Sequence, residues 1–380
     1  MSVFRAPAST GNLLTNEYDV DFFKEVQDLE PDATPLCRLM TISEDNVRNV
    51  TNPKFWHFED QFIGWNTTVG TTYAAAAATI AVTTGDIWKP GDIGQNQTTG
   101  EQFIVDSVSS NTLTVTMGAG GTSDSGGTAG DVLIRLGTTF AENTVSPDML
   151  LQQTTEDYNY TQIFKTTFGI GRTANQTKMR ISQGQLSRQR MLKAKEHKLD
   201  IERQFLFGKR GGTNLTSNSP KRQTRGAIAF LRSNTGSAAT LTESVFSDWL
   251  EDVFRYGSQE KILLCSGIYI TAMEYWGKQR LRGDEGMTTK LGMKVKRYES
   301  AHGDFIVLRH KLFEVAPYTG YALALDPASI KMAVLQRTVL QPNIQENDRD
   351  GIKEQYLSEV GLDMYNAAKH GIFTGVSAYA

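Results

Sequence analysis

Two cysteines in 380 residues, Cys37 and Cys265, are too few and too far apart for a disulfide framework. They are expected to be reduced, partly buried thiols, which favours a cytoplasmic origin over secretion. Histidine is scarce as well: the five at positions 57, 197, 302, 310 and 370 form no His-Glu-x-x-His pattern. His197 has no second histidine one helical turn away, so metal binding is not expected. The N-terminus lacks the long apolar core of a signal peptide, and no run approaches the roughly 20 apolar residues of a membrane span. The expected setting is therefore reducing and soluble, with no membrane partner. An excess of charge of one sign is also missing. The net charge is −3, whereas a dedicated nucleic-acid binder is usually basic.

Motifs for chemistry are equally thin. Gly118-Ala-Gly-Gly-Thr122 and Gly126-Gly-Thr-Ala-Gly130 are glycine-rich, but neither has the Lys and Ser/Thr of a phosphate-cradling loop, so hairpin turns explain them better. Gln-Gly-Gln-Leu-Ser187 lacks the spacing and the strand-turn-helix setting of a nucleophile elbow. Arg282-Gly-Asp284 matches an adhesion tripeptide that recurs by chance. Glu196, Asp200 and Glu202 form a carboxylate cluster, yet on a helix they sit beside Lys193, Lys198 and Arg203 and read as a salt-bridged solvent face. No catalytic, cofactor-binding or metal-binding residue is assigned.

What is present is a chain long enough for a sizeable core and two or three domains. Residues 1–54 read as an arm, with a short helix at Val20 to Leu29 and breaks at Pro31, Pro35 and Pro53, expected to bury little by itself. Phe55 to Trp65 is strand-like. From Asn66 to Gly137 the composition turns to Thr, Gly, Ala and Val. Glu101 to Val108, Thr112 to Met117 and Asp131 to Leu136 alternate as strands there, with Ser109-Ser-Asn111 as a turn and 118–130 as a flexible tip. Ala74 to Ala78 reads as a linker or a turn of helix. Phe164 to Ile170 is the returning strand. A long helix then runs from about Gln183 to Phe207 and stops at Gly208, its apolar face marked by Leu192, Leu199 and Leu206 and widened by Met191, Ala194, Ile201 and Phe205. Helices at Glu243 to Tyr256 and Ser266 to Arg282 mix with strands at Lys261 to Cys265, Val295 to Tyr298, Asp304 to Arg309 and Tyr321 to Leu325, and a long strand at Ile352 to Asn366 closes the chain. Without a regular βαβ period the class is α+β.

Charge is unevenly placed. Residues 183–225 hold eleven basic side chains against three acidic, and residues 66–160 hold two basic against ten acidic. Such segments suit self-association, one copy's acidic hairpin meeting another's basic face, although each charge can equally solvate its own surface.

Several phrases in order are similar to those of tailed-phage major capsid proteins with the Hong Kong 97-type coat fold. They are Ala33-Thr-Pro-Leu36, Phe55-Trp-His-Phe-Glu-Asp60, Gly91-Asp92, Gly100 to Val108, Asn111 to Gly118, Gly130 to Ile134, Asn159-Tyr-Thr-Gln-Ile-Phe164, Glu196 to Gly208 and Arg225 to Phe230. The resemblance covers about residues 33–230. Met117-Gly118-Ala119 departs from it, where the family often has an aromatic or basic residue. It implies a non-enzymatic shell subunit with an N-terminal arm at 1–54 and an extended loop at 55–165 carrying a β insertion at 66–138. A peripheral domain at 166–235 would hold the spine helix 183–207, with an axial domain at 236–335 and a return to the peripheral domain at 336–380. Copies would form pentamers and hexamers of an icosahedral virion shell around packaged DNA, assembled in the bacterial cytoplasm. The implied partners are the chain itself, with room for scaffolding, portal and decoration proteins. Arg188, Arg190, Lys193, Lys195 and Lys198 would face the genome and neutralise phosphate without reading bases. Some relatives crosslink a loop lysine; Lys89, the only lysine of the insertion, is not assigned that role. The rival readings are a nanocompartment shell of the same fold, resembling encapsulins, and a metal-dependent hydrolase or nuclease using the carboxylates near Glu196.

Overall fold

The computed structural model describes residues 34–42, 44–60, 62–143, 145–146, 149, 151–177, 185–276, 281–283 and 296–380. The helix expected at Val20 to Leu29, the first two residues of the long helix and Asp284 lie outside them. The chain divides into two compact units, one of Met1–His57 with Asp157–Ala380 and one of Phe58–Glu156. Its helices are α1 (Pro35–Ile42), α2 (Arg172–Gln176), α3 (Gln185–Phe207), α4 (Ala227–Phe230), α5 (Glu243–Phe254) and α6 (Gly267–Trp276).

In the larger unit, a four-stranded sheet has the order Val47–Asn49, Ile330–Gln341, Gly351–Met364, Gln162–Gly171. The antiparallel pairing of the last two is unbroken from Gln162–Val360 to Gly171–Gly351. α3 packs on these two strands. Its sequence has no internal Gly or Pro and one β-branched residue, Ile201, so propensity favours a long helix. Its end is set by a close approach of two backbones. A Cβ on Gly208 would meet Gln204 O at 2.4 Å and Thr224 O at 2.7 Å, and Gly226 N donates to Gly208 O. Gly208 therefore matters because a neighbouring chain pass touches it.

A seven-stranded sheet in the same unit has the order Thr235–Ser237, Gly371–Thr374, Ala322–Leu325, Glu260–Cys265, Asp304–Arg309, Lys296–Glu299, Leu281–Gly283. α5 lies against it because Phe246, Trp249, Leu250, Val253 and Phe254 recur at helical spacing, and the Thr242 side chain caps its start by accepting from Val245 N. Two expectations are corrected here. The helix expected over Ser266 to Arg282 is described over Gly267–Trp276, residues 277–280 lie outside the described residues, and Leu281–Gly283 is a strand paired with Lys296–Tyr298. Residues 336–380 do not all return to the spine-helix layer, since Gly371–Thr374 inserts into the seven-stranded sheet and Ala378–Tyr379 pairs with Thr240–Leu241.

The smaller unit is built on a six-stranded sheet in the order Asn66–Thr68, Val132–Thr138, Asp92–Asn96, Gln102–Ser109, Thr112–Met117, Thr79–Ala81. Its two edges meet: Val69 bridges Val82, Gly70 N donates to Ala81 O and Thr83 N donates to Thr68 O. Closure into a small barrel removes the free edges. The inward positions Val69, Ile80, Val82, Phe103, Val105, Leu113, Val115 and Leu133 form its core. Ala74 to Ala78 is a turn leading into the edge strand. The run 118–130 is not a free tip, because Gly127 and Tyr73 exchange backbone hydrogen bonds and Thr122 Oγ1 accepts from Gln102 N.

Candidate assembly interface

Within the larger unit, the described parts of the phrases at Thr34 to Leu36, Phe55 to His57, Asn159 to Phe164, Glu196 to Gly208 and Arg225 to Phe230 are tied to one another at three crossings. Glu202 on α3 is fully buried and its two carboxylate oxygens accept from Leu36 N and Cys37 N at 2.7 Å each. His310 completes the site. Its Nδ1 accepts from Leu312 N, which leaves Nε2–H to donate to Glu202 Oε1 at 3.0 Å. The carboxylate thus satisfies the exposed donors at the start of α1 from 166 residues away. Leu36, Cys37 and Met40 join the main core alongside Ile201, Phe205 and Leu206. The described end of the arm is consequently packed within its own chain, against the expectation that it buries little by itself. Burial, and next to it the Glu202 charge, push the Cys37 thiol well above its ordinary range.

Asn159 serves the second crossing. Its Nδ2 donates to Thr224 Oγ1, Arg225 O and Leu362 O, while Oδ1 accepts from Arg225 N. Asp157 beside it holds Arg225 and Arg210. Burial is the largest influence and would raise the Asp157 pKa, but the bond and charge of Arg225, with the bonds from Tyr158 N and Arg210, together outweigh it and lower the pKa. At the third crossing Asp363 receives His57 Nδ1 (2.9 Å), Arg48 (2.6 Å) and the Tyr365 hydroxyl (2.7 Å). Here too burial would raise the carboxyl pKa, and the bonds from His57, Tyr365 and Arg48 carry it below the usual range. Lys54 Nζ lies 4.1 Å from the ring centres of both Trp56 and Tyr158, and Arg210 stacks on Tyr158 at 4.0 Å. The two passages to the smaller unit, Lys54–Glu59 and Thr155–Tyr160, pair with each other.

The five basic residues singled out on α3 separate into different environments. Arg190 forms a two-pronged pair with the buried Glu354 carboxylate at 2.7 and 2.6 Å. Lys193 pairs with Glu196 one turn on, and Arg203 with Asp200, as a salt-bridged helix face. Arg188 is half-buried. Lys195 and Lys198 are exposed and, with Thr34, Arg38, Met332 and Arg337, line a cleft of about 950 Å³. Glu202 does not belong to that solvent face; it is the buried carboxylate described above. The buried line of α3 is His197, Ile201, Glu202, Phe205 and Leu206, whereas Leu192 and Leu199 are half-buried and Met191 is exposed. His197 bridges Thr166 Oγ1 (2.9 Å) and Ser358 Oγ (2.7 Å), and burial lowers its pKa, so the ring is neutral there.

The smaller unit presents an unusual run of apolar side chains outside its barrel. Phe58, Phe62 and Trp65 on the outgoing passage are 65, 98 and 62 % exposed; Val145, Met149 and Leu151 on the return are exposed to a similar degree. Among the described residues no group of three or more His, Cys, Asp or Glu is placed to hold a metal ion.

A long helix laid across an antiparallel strand pair, a second α+β sheet layer and a separate small barrel are the features that comparison with known proteins bears on. The fold is the Hong Kong 97-like fold of phage capsids: a chain of the capsid of a native GTA particle superposes with a TM-score of 0.50 at 9 % identity, covering 98 % of this chain and 100 % of that one. A chain of Mycobacterium phage Cain aligns over 94 % of this chain and 96 % of its own, at a TM-score of 0.49 and 11 % identity. The model of the SU10 major capsid protein family matches residues 6–377, and the chain belongs to that family. The major capsid protein of Pseudomonas phage PaMx41 is 25 % identical over 284 residues, 70 % of this chain and 67 % of the relative. This is a phage major capsid protein, a structural component of the virion.

Proposed function

We propose that copies of this chain assemble, without any catalytic step, into the pentamers and hexamers of an icosahedral shell enclosing packaged double-stranded DNA, built in the host cytoplasm. The observation that carries this reading is the exposed apolar run on the two passages beside the barrel. Six large apolar side chains this exposed on one chain are the kind of exposure that another protein surface covers. The division into arm (1–54), loop with its insertion (55–165), spine-helix layer and second sheet layer fits that role, with the loop as the element that reaches a neighbour. Glu196 and Asp200 occupied by Lys193 and Arg203, and Glu202 enclosed by backbone donors and His310, speak against a hydrolase at those carboxylates. Electron microscopy of the purified protein, with size-exclusion chromatography beside it, tests the proposal. Shells, tubes or ring-shaped capsomers are expected, and Phe62→Ser with Met149→Ser should leave a soluble, folded chain that no longer forms them. Normal shells from that double variant would refute the assignment of the interface.

The genome is met by non-specific contact with the first turns of α3. Substituting Arg188, Arg190 and Lys193 by Gln should reduce DNA retained in filled heads; unchanged retention at normal assembly yield would reject this contact.

A further inference from the structure

Between residues 66 and 160 ten carboxylates share two basic side chains, Lys89 and Arg135, and Arg135 is taken by Asp92 at 2.8 Å. One of these carboxylates, Glu101, is shut away from water. The residue is 1 % exposed, and both of its carboxylate oxygens are buried with no hydrogen-bond partner among the described residues. It stands at the foot of the strand Gln102–Ser109, and the segment 122–127 folds over that end of the barrel. Thr122 Oγ1 accepts from Gln102 N, and Gly127 exchanges backbone hydrogen bonds with Tyr73. The same segment brings a second carboxylate, Asp124, against Glu101. The N–H groups of Ser125 and Gly126 lie near enough to favour the charged form, yet neither closes to bonding geometry. No Lys, Arg or His is among the groups that act on Glu101.

Two carboxylates in contact repel, and one that is also cut off from water and donors needs a positive partner. With no basic side chain at hand, that partner is a proton or a cation from solvent. A single shared proton links one oxygen of each carboxyl and leaves the other Glu101 oxygen bare, whereas a cation can be reached by both. Asp124 is exposed, so its side of the pair stays open to water. An all-oxygen pair with one enclosed and one solvated member suits a hard ion that tolerates irregular geometry and keeps water, as calcium does, over zinc or copper.

We propose that Glu101 and Asp124 form a calcium site that fastens the segment 122–127 to the barrel, Glu101 as the enclosed ligand and Asp124 as the ligand on the solvent side. This assignment does not depend on shell formation, so its test uses the full-length chain before assembly.

The chain is stripped with EDTA, dialysed free of it and titrated with CaCl2 at about pH 8. Calorimetric titration should give about one ion per chain. At about 10 mM CaCl2 the barrel's melting temperature should rise by roughly 5–10 °C, the shift for a site of about millimolar affinity in a domain of this size. Hydrogen exchange should slow at Ser123–Gly127. NaCl at matched ionic strength should do neither. Glu101→Gln keeps the volume of the side chain and Asp124→Asn lies at an exposed position, so each variant should fold and lose the response to calcium. A chain that takes up no calcium overturns the proposal and leaves a proton between the two carboxyls. The proposal also fails if both variants respond as the parent does, if NaCl reproduces the rise in melting temperature, or if slowed exchange spares Ser123–Gly127.

Discussion

Replacing Glu202 by Gln tests whether one buried carboxylate fixes the arm to the spine helix. Gln keeps the volume and one acceptor oxygen, so no cavity opens. It loses the negative charge and turns an amide N–H₂ towards a backbone N–H, so one of the Leu36 and Cys37 donors loses its acceptor. The bond from His310 is weakened or lost as well. Hydrogen bonds to charged groups contribute roughly 1.5–3 kcal/mol each, and removing one partner of a buried charged pair costs roughly 3–5 kcal/mol. Against this, the substitution relieves the burial of a charge, so the expected net loss is about 3 kcal/mol. Urea unfolding of the unassembled chain measures it. The midpoint should fall with unchanged slope for the larger unit, while the barrel, a separate compact unit with its own buried Trp88, serves as the internal control. A second reading is chemical. Without the neighbouring charge the Cys37 thiol should lose part of its upward pKa shift and react faster with a disulfide reagent. A loss below about 0.5 kcal/mol, or slowed thiol reaction, would refute the idea that Glu202 anchors the arm.

Other side chains give sharper answers than their surroundings suggest. Lys261 is fully buried, its ammonium donating to the carbonyls of Val253, Tyr256 and Lys369, and burial lowers its pKa to about 8; Lys261→Met should cost roughly 3–5 kcal/mol by urea unfolding because three carbonyls lose their donor. His370 is held neutral, accepting from Asp326 N, and burial lowers its pKa to about 4. The unfolded chain therefore binds the proton first as pH falls below 6.5, and stability should drop by about 2 kcal/mol between pH 7 and pH 5, a loss absent from His370→Asn if that variant folds. In the barrel, Glu101 is buried near Asp124 and burial raises its pKa to about 7; folding takes up a proton there, so stability falls as pH rises from 4.5 through 7. Glu101→Gln should accordingly raise the barrel's melting temperature at pH 8 and change little at pH 5, as read by scanning calorimetry.

Much of the fold could be read from local pattern. The strands Gln102–Ser109 and Thr112–Met117 alternate cleanly, and Ser110, at φ +54°, sits in the tight turn between them. α3 declared itself by length, by lack of breakers and by the glycine that follows. The strand Ile330–Gln341 was missed for a physical reason: its register against Gly351–Met364 shifts at Val334/Gln336 and at Gln336/Val339, which destroys the two-residue alternation. Glu202 was misread because helical spacing groups it with Glu196 and Asp200 but cannot say what covers each one. Its partners, Leu36, Cys37 and His310, are more than a hundred residues away. His197 and Asn159 were likewise visible as residues and not as bridges. Barrel closure depends on Val69 meeting Val82, outside any strand long enough to show a period.

The two kinds of surface, polar within and apolar without, divide the work of a shell subunit between folding and association. Glu202, Asn159 and Asp363 each tie passes of chain that are far apart in sequence, and each has its acceptors or donors filled from several directions. Satisfied networks of that kind favour one arrangement over near alternatives, since any slip strands a buried polar group. On the passages beside the barrel, Phe58, Phe62, Trp65 and Met149 are instead largely exposed. At about 25 cal/mol per Å², with roughly 150–250 Å² for an aromatic side chain, covering each aromatic one contributes several kcal/mol at most to association and nothing to the fold of the single chain. Polar replacements there would make the isolated subunit more soluble while removing the drive to pair. If the exposed apolar side chains are the proposed interface, specificity of folding lies in the junction and adhesion lies elsewhere, so that Glu202→Gln and Phe62→Ser should fail at different steps.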